Sequence, residues 1–193
     1  MAEAGAPKVR AMPARPGPGA GRARLAEILR VDHAGELAAV HIYRGQQAVF
    51  AAARGKARLS ETFADLRAQE ALHLKAFDAL LAERGVRPSL MTPLWRAAAF
   101  ALGAGTALMG ETAAHACTDA VEEVIGEHYA GQIEELAERE PALAGRLAGF
   151  RDDELRHQAQ AVDQGARAAP GYGPLTALIR AGCRAAIRAA EKL

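Results

Sequence analysis

The 193-residue chain is short of cysteine, of aromatic residues and of any charge imbalance. Its two cysteines, Cys117 and Cys183, lie far apart with no C-x-x-C, which excludes a disulfide framework, a thiol redox motif and a cysteine zinc site. A reducing compartment fits that usage. The 24 basic and 23 acidic residues leave a net charge of +1, so no overall field points to nucleic acid. Aromatic residues make up 5% of the chain and β-branched residues are scarce, and no convincing strand can be traced. No secretory signal is visible, because no apolar core of about 7–15 residues follows the N-terminus. Gly103-Ala-Gly-Thr-Ala-Leu-Met-Gly110 superficially suggests a nucleotide loop, but it follows a helical stretch and no strand, and no dinucleotide fingerprint occurs elsewhere.

What is present is helix. Half the residues are hydrophobic, alanine and leucine abound, and apolar positions recur every three and four residues. The length suits one domain. Residues 1–22, rich in Pro, Gly, Ala and Arg, are too poor in large apolar side chains to order themselves and read as a disordered tail before a domain spanning 23–193. The tail bears arginine like a transit peptide, but it carries Glu3, lacks serine and holds too much proline for an amphipathic helix, which leaves targeting open. Breakers at Gly55, Gly85 to Pro93, Pro141 and Pro170 to Pro174 delimit four long helices over about 24–53, 58–84, 111–139 and 142–168. Two shorter ones fall near 94–110 and 174–191.

Each long helix carries a glutamate where its apolar stripe calls for a hydrophobic residue. At about 100° per residue, Leu25, Leu29, Val40, Tyr43, Gln47 and Phe50 fall within about 40° of Glu36. Leu59, Phe63, Leu66, Leu74, Phe77 and Leu81 surround the direction of Glu70, and His73 follows one turn on. Glu122 aligns with His115, Ile125, Tyr129, Ile133 and Leu136, whereas Glu123 points off that stripe. Glu154 aligns with Leu143, Leu147, Phe150 and Ala161, with His157 three residues later. An uncompensated buried carboxylate costs several kcal/mol, comparable to the whole net stability of a small domain. Few Lys or Arg fall on these faces, so metal cations are the better neutralising charge. Mixed carboxylate and imidazole ligands suit iron or manganese, and zinc sites more often use cysteine or more histidine.

The order of these groups repeats: Glu36 then Glu70-x-x-His73, Glu122 then Glu154-x-x-His157. This all-α pattern resembles the ferritin-like four-helix bundles with a di-iron centre, in which a long crossover joins the two helix pairs. The other histidines carry less. Glu111 and His115, four residues apart, read as a surface pair. His33, His41 and His128 are isolated and read as satisfied or exposed residues; His128, beside Tyr129, stands out among them.

Over the whole chain from about residue 25, the sequence resembles the demethoxyubiquinone hydroxylase family, the di-iron monooxygenases of ubiquinone biosynthesis. The matching blocks are Arg30-Val-Asp-His-Ala-Gly-Glu36 with Ile42-Tyr43 and Gly45-Gln46, then Glu70-x-x-His73-Leu-Lys. Ala116-Cys117-Thr118, Ala120-Val-Glu-Glu123, His128-Tyr129, Gln132-Ile133, Phe150-Arg-Asp-Asp-Glu154-x-x-His157 and Ala181-Gly-Cys-Arg184 follow in order. The resemblance implies two iron ions held by Glu36, Glu70, His73, Glu122, Glu154 and His157, with Glu70 and Glu154 bridging. His128 and Tyr129 become candidates for positions behind those ligands. It implies O2-dependent ring hydroxylation of a polyprenyl 6-methoxy-3-methyl-1,4-benzoquinol, with O2 as co-substrate and NADH as electron donor. A lipid-binding partner protein and other ubiquinone-synthesis enzymes are implied too. Gln158 stands where relatives often repeat histidine and Arg188 where an aromatic residue is common, which touches the reductant and quinone pocket and leaves the six ligands alone.

Such a substrate calls for an opening at a membrane. Residues 97–110 are uncharged and, at about 1.5 Å per residue, too short to cross a core of about 30 Å, but able to lie in the interface. Arg180, Arg184 and Arg188 beside Leu175, Leu178, Ile179 and Ile187 give the last helix a pattern suited to anionic headgroups. The expectation is a peripheral membrane enzyme, on the cytoplasmic side of a bacterial inner membrane or the matrix side of the mitochondrial one. The rival reading keeps the metals and makes the chain a ferritin-like iron-handling or peroxide-reducing protein.

Overall fold

The computed structural model describes residues 18–191. Its helices are α1 (Pro18–Ala52), α2 (Ala57–Arg84), α3 (Thr92–Met109), α4 (Glu111–Leu136), α5 (Pro141–Asp163) and α6 (Tyr172–Ala190), with a 3₁₀ turn at Ala166–Ala168 and no strand among the described residues. Helices α1 and α2 pack as one antiparallel pair and α4 and α5 as the other, while α3 lies along α1 and α6 along α4. The bundle expected from the repeated glutamates is thus present, with α3 as the crossover between its pairs.

Local chemistry sets the helix ends. Pro93 and Pro141 sit in the first turns of α3 and α5, where no amide hydrogen is needed. Gly85 closes α2 in a left-handed conformation, with its N–H donating to Ala82 and that of Val86 to Leu81, so the last carbonyls are satisfied. Two boundaries differ most from the sequence expectation. Residues 18–22, assigned to the tail, form the first turns of α1, while the rest of that segment lies outside the described residues. Helix α5 stops at Asp163 instead of reaching 168, because Gly165 turns the chain at φ +90°.

The core has two principal apolar clusters with a polar layer between them. Ile42, Phe50, Phe63, Leu66 and Val121 anchor one, and Ile28, Leu29, Phe77, Leu80, Leu136 and Leu147 the other. Every long helix passes through the layer, and there it carries its glutamate.

Two histidine and arginine expectations are corrected. Glu111 pairs with Lys56 at 3.1 Å, while His115 is fully buried and stacked on Phe63 at 5.2 Å, so the two do not form a surface pair. His115 sits on the Glu122 stripe, and the core claims it. Arg180 and Arg184 do not form a free stripe for headgroups: they pair with Glu123 at 2.7 Å and Glu127 at 3.0 Å. The four-residue spacing of the arginines matches that of these glutamates, which staples α6 to α4.

Helices α1 and α3 cross at glycine. A Cβ on Gly103 would lie 2.0 Å from the Ile42 carbonyl oxygen, and one on Gly45 would lie 2.4 Å from that of Phe100. Backbone cannot yield as a side chain can, so Gly103→Ala is expected to destabilise the protein by about 2 kcal/mol, lowering Tm by roughly 4–8 °C in calorimetry. Gly105→Ala, where a Cβ meets nothing within 4 Å, is the control and should hold or raise Tm through helix propensity.

Candidate metal centre

The polar layer brings together all six side chains singled out by spacing: Glu36 from α1, Glu70 and His73 from α2, Glu122 from α4, Glu154 and His157 from α5, all buried. They form two groups, Glu36, Glu70, His73 and Glu154, and Glu70, Glu122, Glu154 and His157, each with its ligand atoms within 4.8 Å of one another. Glu70 and Glu154 belong to both. Two four-ligand groups sharing two carboxylates could hold two metal ions side by side.

Both imidazoles point the same way. His73 turns Nδ1 inward, 3.2 Å from Glu154, 3.4 Å from Glu70 and 3.5 Å from Glu36. His157 turns Nδ1 to Glu70 at 2.8 Å and Glu154 at 3.2 Å. Their Nε2 atoms face away, toward Asp153 at 3.0 Å and Gln69 at 3.1 Å respectively. The phenol of Tyr43 donates to Glu122 and that of Tyr129 to Glu36, each crossing from one helix pair to the other.

The residues fit a metal pair by a test independent of spacing. Oε2 of Glu36, both oxygens of Glu70, Oε2 of Glu122, Oε1 of Glu154 and Nδ1 of His73 are buried and accept or donate no well-aligned hydrogen bond. In a native core such groups are satisfied, and here they converge on one place.

A ubiquinone biosynthesis protein COQ7 family model matches residues 23–190. The chain belongs to the COQ7 family. It is 45% identical over 176 residues to the NADPH-dependent 3-demethoxyubiquinone 3-hydroxylase, mitochondrial, of Homo sapiens, covering 89% of this chain and 79% of that protein. It is 45% identical over 181 residues to the 3-demethoxyubiquinol 3-hydroxylase of Rhodospirillum rubrum, covering 92% and 82%. With the 5-demethoxyubiquinone hydroxylase, mitochondrial, of Saccharomyces cerevisiae it shares 42% over 184 residues, covering 88% and 78%.

Of the two residues expected behind the ligands in this COQ7-family chain, Tyr129 reaches Glu36 directly. His128 instead meets Gln132 at 2.8 Å and the buried Asp32 at 3.6 Å, one turn along α1 from Glu36. Three further residues escaped sequence reasoning. Tyr43 passed as a core aromatic, yet it stands seven residues after Glu36, as Tyr129 stands seven after Glu122. Gln69 and Asp153 immediately precede the two motif glutamates, and that shared position was the available signal.

The groups of the layer set one another's protonation. Burial, then the nearby Glu70 and Glu154, push the Glu36 and Glu122 carboxyls well above their ordinary range. Burial also works against charge on Glu70, but His157 and His73 outweigh it and hold that group at about 2. For His157 burial favours the neutral ring, yet Glu154 and Glu70 prevail and raise it to about 9. A His raised from 6.5 to about 9 contributes stability that is complete below pH 6.5 and lost as pH climbs to 9. Raised carboxyls act in the same direction, since the folded state holds protons that the unfolded chain has released. The metal-free protein is therefore expected to lose Tm steadily from pH 6.5 to 9 in calorimetry with a chelator. Divalent metal should abolish that slope by replacing the protons.

Proposed function

We propose that this chain is a di-iron monooxygenase that hydroxylates the ring of a polyprenyl demethoxyubiquinol in ubiquinone biosynthesis. The observation that carries this reading is the position of the doubled metal group beside a large apolar cavity. That cavity, about 660 Å³, lies between α1, α3, α4 and α6. Gly35 and Val121, the neighbours of Glu36 and Glu122, form part of its wall.

The cavity wall is suited to an isoprenoid. Alanine, leucine, isoleucine and valine dominate it, and the Thr106 hydroxyl is spent on the Leu102 and Gly103 carbonyls. A tail filling it excludes water from the side of the bundle where the ring would meet the ligands. Met109 and Leu178 line it while remaining mostly exposed, and Leu94, Phe100 and Leu108 expose more apolar surface on α3. Among the described residues no helix is long and apolar enough to cross a membrane. Peripheral attachment through this exposed apolar surface, on the cytoplasmic or the matrix side of the membrane, fits both facts.

Two irons held by Glu36, Glu70, His73, Glu122, Glu154 and His157 would supply reductive activation of O2. The balance is one ring C–H, one O2, two electrons and two protons giving one ring C–OH and one water. Electrons come from a reduced nicotinamide nucleotide, NADH as the resemblance implies or NADPH as in the names of the mammalian relatives. The chain's own part is to orient Glu36 and Glu122 by the Tyr129 and Tyr43 phenols, to fix each imidazole by its outer N–H, and to hold the ring at the layer.

The deciding experiment measures iron per chain, then supplies demethoxyquinol, O2 and each nucleotide in turn. Two irons and one ring hydroxyl per O2 are expected. Iron loading beyond two, or peroxide consumption without hydroxylation, would move the chain to the iron-handling class. At the cavity, Ala186→Phe should raise KM for a long-tailed substrate several-fold while leaving a tail-less analogue nearly unaffected. At its mouth, Leu178→Glu with Met109→Glu should reduce co-sedimentation with phospholipid vesicles without changing iron content.

A further inference from the structure

The supports behind the ligands repeat across the bundle with one exception. Tyr43 and Tyr129 give the same phenol to Glu122 and Glu36. The residue preceding each motif glutamate reaches over to the histidine of the opposite motif, Asp153 to His73 and Gln69 to His157. One is a carboxylate and the other a neutral amide.

That difference changes the ligand. With Nδ1 facing the other ligands, Nε2 carries the hydrogen and donates it outward. Asp153 offers only acceptors, and its second oxygen takes the Arg156 guanidinium, which anchors the carboxylate and leaves Oδ2 for His73. Gln69 turns its amide nitrogen toward the Asp65 carbonyl at 3.4 Å, which leaves Oε1 for His157. A hydrogen bond to an ionised acceptor is roughly twice as strong as one to a neutral acceptor, and it pushes electron density onto the metal-facing nitrogen.

We propose that the two metal positions are inequivalent by construction: Asp153 makes His73 the stronger donor, and Gln69 leaves His157 the weaker one. The position of Glu36, Glu70, His73 and Glu154 then binds the first ion, and that of Glu70, Glu122, Glu154 and His157 the second. Asp153 and Gln69 act here as positioning residues, through the histidines they hold. This rests on the two-metal reading above.

The experiment titrates metal-free full-length protein with Co(II), following d–d absorption and heat. Two steps are expected, separated by about tenfold or more in affinity, as removal of such an outer partner commonly costs 10–100-fold. Glu36→Gln should delete the tight step and Glu122→Gln the weak one. Gln69→Glu, at an exposed position, should tighten the weak step. The exchange variant Asp153→Asn with Gln69→Glu should reverse the order, so that Glu122→Gln now deletes the tight step. Loading with ⁵⁷Fe(II) gives an independent signature: two unequal Mössbauer doublets in the native chain, which interchange in filling order in the exchange variant. Two equal steps, or an order unchanged by the exchange, would overturn the inequivalence and leave the two-metal reading intact. Fewer than two ions per native chain would instead strike that reading itself.

Discussion

Four carboxylates and two imidazoles occupy one thin layer of an otherwise apolar core, and the rest of the bundle answers to that constraint. Each ionised carboxylate removed from water costs several kcal/mol unless opposite charge or hydrogen bonds compensate it. Two phenols, two imidazoles and shared protons compensate the layer only partly, because several buried oxygens still converge without aligned partners. The unmet remainder is what suits the layer to cations. Apolar clusters on both sides hold it in register, so the ligands cannot drift apart to find water.

The two-fold repetition of the chain gives the layer its economy. Each helix pair brings a lone glutamate and a Glu-x-x-His, and each supplies the residues that steady the other: a tyrosine for the facing lone glutamate and a side chain for the facing histidine. Closing the bundle therefore assembles ligands and supports in one event. Stability and the geometry of the layer are coupled here, since a variant that loosens the pairing loosens both.

The outer helices build the apolar cavity beside that layer. Glycine at the α1–α3 crossing brings α3 against the bundle, and the Arg180–Glu123 and Arg184–Glu127 pairs draw α6 onto α4. Between them they enclose an apolar space that borders Glu36 and Glu122 by way of their sequence neighbours. The arginines looked, by composition alone, like ligands for headgroups. Their use as staples leaves the exposed leucine and methionine side chains as the part suited to lipid.

Helical periodicity by itself determined the all-helical class, the four inward glutamates, the choice of Glu122 over Glu123 and the two histidines one turn after their glutamates. A buried charge violates an apolar stripe, and one-dimensional spacing is enough to reveal the violation. Only the tertiary structure decided the roles of Tyr43, Gln69 and Asp153, the partners of Arg180 and Arg184, and the separation of His128 from Tyr129. In each of these the deciding contact crosses from one helix to another. Which atoms meet across that gap depends on helix rotation and crossing distance, and a single helix's sequence carries neither.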